Sequence, residues 1–541
     1  MRRTLVTIAA ALTTLVGLAL PSGSALAAAP AAAPAAAPDR LDPYRSQQIG
    51  WTPCLPDRPD LPPIQCATIL VPRDWHHPRR GFIRVAISRL AASDQESRRG
   101  IMMLNPGGPG GSGLLMPLAF TEQPIARSYD LIGFDPRGVG SSTQIQCQTP
   151  EEYDAFLDID MRDRSDENIR HVLDESAAIA DNCLRRSGEL LRNINTEQTV
   201  RDMDLIRFLL GENKVHYLGY SAGTWLGTHY ATTFPRRVGR FVLDSNVEFT
   251  TNWQRSFDWQ PLGFERRFNE DFLAWIAKYD DVYGYGGTAE EARATWEARR
   301  TALAQEPLQV SENLTLTAGK FDSGTVGAMY AASLFPDLAQ ALRTLEHFDE
   351  ATPEEKENVE AVFGSFFDAS LYAVFYAVTC NDTPWKEDPG YYVRQSEHLG
   401  RAYPLIGYSW LANPCAFWPF EQPKPQKITG KGLPTTIMIN SVHDPATPIE
   451  GAQRAHRQFA NSRFVTVVDE GDHGIYGGGN TCVDDIVNRY FLSGRAPAAD
   501  TVCQGLPLPE PQRAQAQTTQ RPQERDNILE RIKDLNRQYG S

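Results

Sequence analysis

The stretch from Lys214 to Gly227, KVHYLGYSAGTWLG, constrains this chain more than any other. Val215, Tyr217 and their neighbours read as a buried strand. Trp225 onward, with Leu226, Tyr230 and Ala231, reads as an amphipathic helix. Between them stands Gly-Tyr-Ser-Ala-Gly. A smooth passage from strand to helix needs no such sequence, whereas a strained one does, and strain held at a serine serves chemistry. Gly219 and Gly223 remove side chains that would collide in a tight turn. Ser221 then projects at the head of the helix, whose N-terminus adds partial positive charge near the reacting centre.

A serine hydroxyl is a poor nucleophile at neutral pH. It needs a base within hydrogen-bond reach, a carboxylate to orient that base, and donors aimed at the developing oxyanion. The carboxylate is expected after a later strand, where Asp444 follows TTIMINSVH. The base is expected in a loop after the last strand, where His473 follows FVTVVDEGD. The chain order Ser221, Asp444, His473 is the one used on a strand-turn-helix nucleophile scaffold. Asp244, at the end of RFVLD, is the competing acid, and His443 is a rival base only if Asp444 is not the acid. His216 reads as a core residue inside the strand, and His229 lies on the following helix. One oxyanion donor is expected at the Ala222 N–H and the other in the glycine loop NPGGPGGSG, at Gly108 first and Gly107 next. That loop lacks the Gly-Lys-Ser/Thr ending of a phosphate site.

Strand patterns at Ile64–Val71, Phe82–Leu90, GIMMLNP, YDLIGF, VHYLGYS and RFVLDS alternate with helical periodicity over Asp174–Arg185 and Thr199–Leu210. This predicts an α/β fold with a mostly parallel sheet covered by helices on both faces. From about Phe249 to Phe420 the pattern turns helical, aromatic and broken by prolines, and strand signals return at LPTTIMINSV and SRFVTVVDE. A helical lid is therefore expected over 249–425, between a first core part over 39–248 and a second over 426–505. The Gln-, Pro-, Arg- and Glu-rich tail over 506–541 reads as a mobile surface segment, with Asn527–Tyr539 able to form a solvated, charged helix.

Residues 1–27 read as a secretory signal peptide: Arg2 and Arg3, an apolar run from Leu5 to Leu20, and Ala25-Leu26-Ala27 as cleavage signature. An uncleaved anchor is the competing reading, but the run is short for a span. The Ala/Pro repeat over 28–38 reads as a spacer or pro-segment. A net charge of −14 without a basic stripe argues against nucleic acid. Eight cysteines in an exported chain suggest disulfides, and they fall as neighbouring couples: 54 with 66, 147 with 183, 380 with 415, and 482 with 503. Cys-x-x-Cys is absent and His76-His77 has no matching ligand cluster, so neither a metal nor a cofactor is expected.

The segments NPGGPGGSG, DLIGFDPRGVGSS, GYSAGTWLG, VTCNDTPW, PCAFWP, HDPATP, GDHG and YFLSGRAPAADTVC, spread from Cys54 to Cys503, together resemble the secreted tripeptidyl aminopeptidases of actinobacteria. These are relatives of the proline iminopeptidases within the α/β-hydrolases. The glycine loop departs from the His-Gly-Gly-Pro-Gly of proline iminopeptidases, since Pro106 stands before Gly107. The resemblance implies the α/β-hydrolase fold, with nucleophile Ser221, acid Asp444 and base His473. It also implies an extracellular exopeptidase that takes peptide or protein N-termini and releases short peptides. Such an enzyme must hold a protonated amine, and a lid carboxylate is the expected partner. Asp382 is the first candidate and Glu248 the second, with Glu265 and Asp271 behind them. A secreted esterase or lipase would use the same triad. A non-catalytic binding module is a third reading, weakened because all three triad candidates are present.

Overall fold

The computed structural model describes residues 41–364, 368–511 and 527–539. The signal peptide and the Ala/Pro segment expected over 1–38 lie outside the described residues. Ten strands build one sheet: β1 (Thr52–Pro53), β2 (Gln65–Pro72), β3 (Phe82–Leu90), β4 (Ile101–Asn105), β5 (Asp130–Phe134), β6 (Val215–Tyr220), β7 (Val238–Asp244), β8 (Thr436–Ser441), β9 (Ser462–Val468) and β10 (Thr501–Gln504). Their spatial order is β1-β2-β3-β5-β4-β6-β7-β8-β9-β10. The first strands pair antiparallel as far as β3 with β5, and from β5 onward every pairing is parallel. Every residue of β4, β5 and β8 is buried, which is why these strands read as unbroken apolar runs rather than alternating ones.

Helices cover both faces. The ones that bear on the site are α1 (Thr196–Leu209), α2 (Ala222–Thr233), α3 (Ala369–Asp382) and α4 (Ile528–Tyr539). Two cores flank the sheet, one gathering Met103, Tyr217 and Trp225, the other Leu104, Leu218 and Ile439. The stretch between β7 and β8 is a helical insertion with a core of its own, built on Phe268, Phe272, Trp275, Trp296, Phe321 and Phe335. It also carries a small antiparallel ribbon, Leu308–Gln309 with Thr315–Leu316, that the helical periodicity did not announce. Four disulfides join the neighbouring couples, Cys54–Cys66, Cys147–Cys183, Cys380–Cys415 and Cys482–Cys503. Among the described residues no helix is long and apolar enough to cross a membrane.

The tail departs from the solvated segment expected of it. Residues 528–539 form α4, whose Ile528 and Ile532 are buried beside Phe120 and Tyr476, with Leu529 and Leu535 packed against the same cluster. The spacing 528, 532, 535 is one helical face, and burying it outweighs the charged character of the rest.

Candidate active site

Five strands that are neighbours in the sheet, β4, β6, β7, β8 and β9, deliver the candidate residues at their C-terminal ends, the edge where open α/β sheets place their sites. Ser221 follows β6 and adopts φ 55°, ψ −128°, a region that L-residues avoid. The conformation is held on both sides. The Ser221 N–H donates to the Asp244 carbonyl (3.0 Å), and its carbonyl accepts from the Thr224 N–H (2.9 Å) and hydroxyl (2.6 Å). Gly223 permits the turn because a Cβ there would sit 2.7 Å from Asn105 Oδ1 and 2.9 Å from the Asn105 carbonyl oxygen.

His473 lies in the loop after β9 and is 3% exposed. Its Nδ1 stands 3.0 Å from each carboxylate oxygen of Asp444. Asp444 is fully buried and also accepts from the N–H groups of Ala446 (3.0 Å) and Thr447 (2.8 Å) and from the Thr447 hydroxyl (2.8 Å). A carboxylate accepts, so the imidazole carries its proton on Nδ1 and leaves Nε2 as its basic nitrogen. The Tyr330 ring meets the imidazole edge-on at 5.4 Å, and the Tyr330 carbonyl accepts the His473 N–H at 2.9 Å. Arg267 of the helical insertion clasps the same loop through Asp472 (2.7 Å), which also accepts the Ala332 N–H (2.8 Å).

The competing acid is engaged elsewhere. The Asp244 carboxylate accepts the N–H groups of Ile475 (3.2 Å) and Tyr476 (2.8 Å), while Ser245 Oγ accepts that of Gly474 (2.8 Å). Together they fasten the loop just past His473. Burial pushes the Asp244 carboxyl up to about 7. The rival base His443 pairs instead with Asp271 (2.8 Å). His216 accepts the Arg240 N–H at 3.1 Å inside the sheet, and His229 stacks on Trp225 at 4.6 Å.

The glycine loop after β4 lies against the elbow. Gly107 has φ +96°, and a Cβ there would sit 2.5 Å from the Tyr220 carbonyl oxygen and 2.9 Å from the Ala222 nitrogen. The Gly107 N–H donates to Asn105 Oδ1 (3.1 Å) and its carbonyl accepts from Gly111 (3.0 Å). Asp135, which the sequence reading did not single out, pins the loop through the Ser112 hydroxyl (2.6 Å) and the Ser141 N–H (2.8 Å). Ser221, His473, Gly107 and Gly108 share the lining of one cavity of about 1090 Å³, roofed in part by Trp253, Phe257 and other aromatics of the insertion.

The four expected amine carboxylates lie away from this lining. Asp382 ends α3 and accepts the Thr196 N–H (2.8 Å), the Thr196 hydroxyl (2.6 Å) and Trp253 Nε1 (3.1 Å), so it ties α3 to the start of α1. Burial lifts its carboxyl to about 6. Glu248 is 4% exposed and accepts Trp259 Nε1 at 2.7 Å, and its carboxyl is raised by burial. Glu265 binds Arg293 (2.8 Å), and Asp271 binds Arg267 (2.6 Å). Asp382 and Glu248, expected to face substrate, are instead held by other groups of the fold and are not among the residues lining the cavity.

Residues 403–503 match the family model described as TAP-like protein, and residues 100–277 match the model described as alpha/beta hydrolase fold. The chain is 36% identical over 484 residues to a tripeptidyl aminopeptidase of Streptomyces lividans, covering 86% of this chain and 88% of that one. It is 26% identical to the serine protease Hip1 of Mycobacterium tuberculosis (strain CDC 1551 / Oshkosh), covering 85% and 92%. A carboxylesterase B of the same strain is 30% identical, covering 85% and 91%.

Proposed function

The chain belongs to the tripeptidyl aminopeptidase family of α/β-hydrolases and is a serine peptidase, and from that premise we propose that it is a secreted exopeptidase releasing tripeptides from free N-termini. The observation that carries the reading is the strained Ser221 sharing one cavity with an imidazole fixed by a buried carboxylate. The leader pattern over 1–27 and four disulfides support export to an oxidising compartment.

His473 Nε2 takes the Ser221 proton as Oγ bonds to the third peptide carbonyl. The N–H groups of Ala222 and Gly108 receive the oxyanion, since Asn105 occupies the Gly107 N–H. Asp444 stabilises the imidazolium without itself becoming protonated. His473 then passes its proton to the leaving amine as the C–N bond breaks. A water, deprotonated by the same imidazole, adds to the acyl-serine ester; as the C–Oγ bond breaks, the imidazolium returns that proton to Ser221 Oγ and the tripeptide leaves as its acid. The helical insertion is the lid of this cavity: its aromatics exclude water, and the Arg267–Asp472 contact couples it to the histidine loop.

A panel of di-, tri- and tetrapeptidyl p-nitroanilides, free and N-acetylated, tests the reading on the wild type and on Ser221→Ala. Tripeptide release from free substrates is expected, with loss of activity in the variant by at least ~10⁴-fold. Equal rates in the two proteins would remove Ser221 from the chemistry. The 30% identical carboxylesterase B favours a second reading, an ester hydrolase using the same residues. It predicts short acyl esters turned over faster than any peptide of the panel.

A further inference from the structure

Helix α4 bridges the two loops that form the site. At its start, Asn527 Nδ2 donates to the His473 carbonyl (3.1 Å), and Ile528 lies against Gly474 and Gly477. Further along, Arg531 reaches the Ala119 carbonyl (3.0 Å), and Asn536 Nδ2 donates to the carbonyl of Ser112 (3.0 Å), in the glycine loop. One side of the helix, including Glu530, lines the cavity that holds Ser221 and His473.

Among the described residues three carboxylates line that cavity: Asp135, Asp368 and Glu530. Asp135 is locked by Ser112 and Ser141. Asp368 caps α3, accepting the Leu371 N–H (2.8 Å) and the Ser370 hydroxyl (2.6 Å). Glu530 differs. Its ion-pair contact is with Lys533 on its own helix at 3.8 Å, beyond hydrogen-bond length. Among the described lining carboxylates it is the one that can take a new cationic partner without giving up a cap or a loop anchor. Its carboxyl is raised by burial, the response of a desolvated acid that a close ammonium would relieve.

We propose that Glu530, presented by α4, receives the N-terminal ammonium of the substrate and so imposes the requirement for a free N-terminus. The inference rests on the exopeptidase reading above. The tail that follows β10 thus returns across the molecule to complete the substrate site. Lys533, whose ammonium stands 3.8 Å from the Glu530 carboxylate, and Arg537, which pairs with Asp534 (3.5 Å), line the same wall. An ammonium held by a carboxylate forms a charge-assisted hydrogen bond, and N-acetylation removes both the charge and two of the donors.

The test compares a free tripeptidyl p-nitroanilide with its N-acetyl form on the full-length wild type, Glu530→Gln and Glu530→Asp, with competent sites counted by titration with a fluorophosphonate. The expected result is a fall of roughly tenfold or more in the free-to-blocked ratio of kcat/KM for Glu530→Gln, carried mainly by KM. Glu530→Asp, one methylene shorter, raises KM for the free substrate and retains part of the preference. A wild-type ratio in Glu530→Gln would overturn the assignment, as would an unchanged KM in Glu530→Asp should the glutamine variant fail to fold. A wild type that treats free and blocked substrates alike would bring down the exopeptidase reading together with this inference. Discrimination that persists in both variants would bring down the role of Glu530 alone.

Discussion

At Ser221 the backbone holds φ 55°, ψ −128°, and the cost of that conformation, of order 1–3 kcal/mol, is met by bonds to Asp244 and Thr224. Asp244 thus holds the candidate site twice, through its carbonyl to Ser221 and through its carboxylate to the loop of His473. Because burial raises its carboxyl to about 7, the folded chain binds a proton there that the unfolded chain, near 3.8, gives up earlier. Its stabilising contribution is complete below the unfolded value and is lost as pH rises through about 7. Asp244→Asn removes this dependence. The melting temperature of the variant relative to wild type should therefore climb between pH 5 and pH 8 and level off above. A difference constant across that range would contradict the assignment. The rival role of Asp244 as triad acid was open in the sequence because its partners, Ile475 and Tyr476, are far away in the chain.

Among the elements, the central strands were legible because burial on both faces leaves unbroken apolar runs, as in β4 and β8. The edge strands β1 and β10 are short and partly exposed and left no such signal. The candidate nucleophile Ser221, acid Asp444 and base His473 could be picked out because each sits past a strand end with its own turn chemistry. What stayed hidden depends on distant partners: Asp382 bound by Thr196 and Trp253, and α4 drawn onto Phe120 and Tyr476 from the end of a polar tail. The helical insertion is fixed to the histidine loop by Arg267, whose side chain is 1% exposed and spans Asp271 and Asp472. Arg267→Met leaves Asp472 buried without its guanidinium and should cost about 3–5 kcal/mol in unfolding free energy. The kcat on a tripeptidyl p-nitroanilide should fall with it, because the displaced loop carries His473. Full activity together with an unchanged urea midpoint would show that the insertion is not held to the site in this way.

For the whole molecule, the sheet acts as a rigid rim on which five neighbouring strands set residues far apart in the chain around one cavity. The disulfides lie outside the triad: Cys147–Cys183 and Cys380–Cys415 border a core shared by the helix over Asp166–Ser187 and α3, and Cys482–Cys503 ties the segment after His473 to β10. Disulfide bonding thus reinforces the frame, while the candidate site residues are held by packing and hydrogen bonds. The relatives that span most of this chain carry both peptidase and esterase names, so the frame alone does not choose the substrate. Covalent labelling by a fluorophosphonate, followed by peptide mapping, reads out whether Ser221, His473 and Asp444 converge as one reactive centre. One equivalent of adduct, confined to Ser221, is expected, with the labelling rate reduced at least a hundredfold, on the order of 10²–10⁴, in His473→Ala. Label on another residue, or undiminished labelling of the Ser221→Ala or His473→Ala protein, would contradict it.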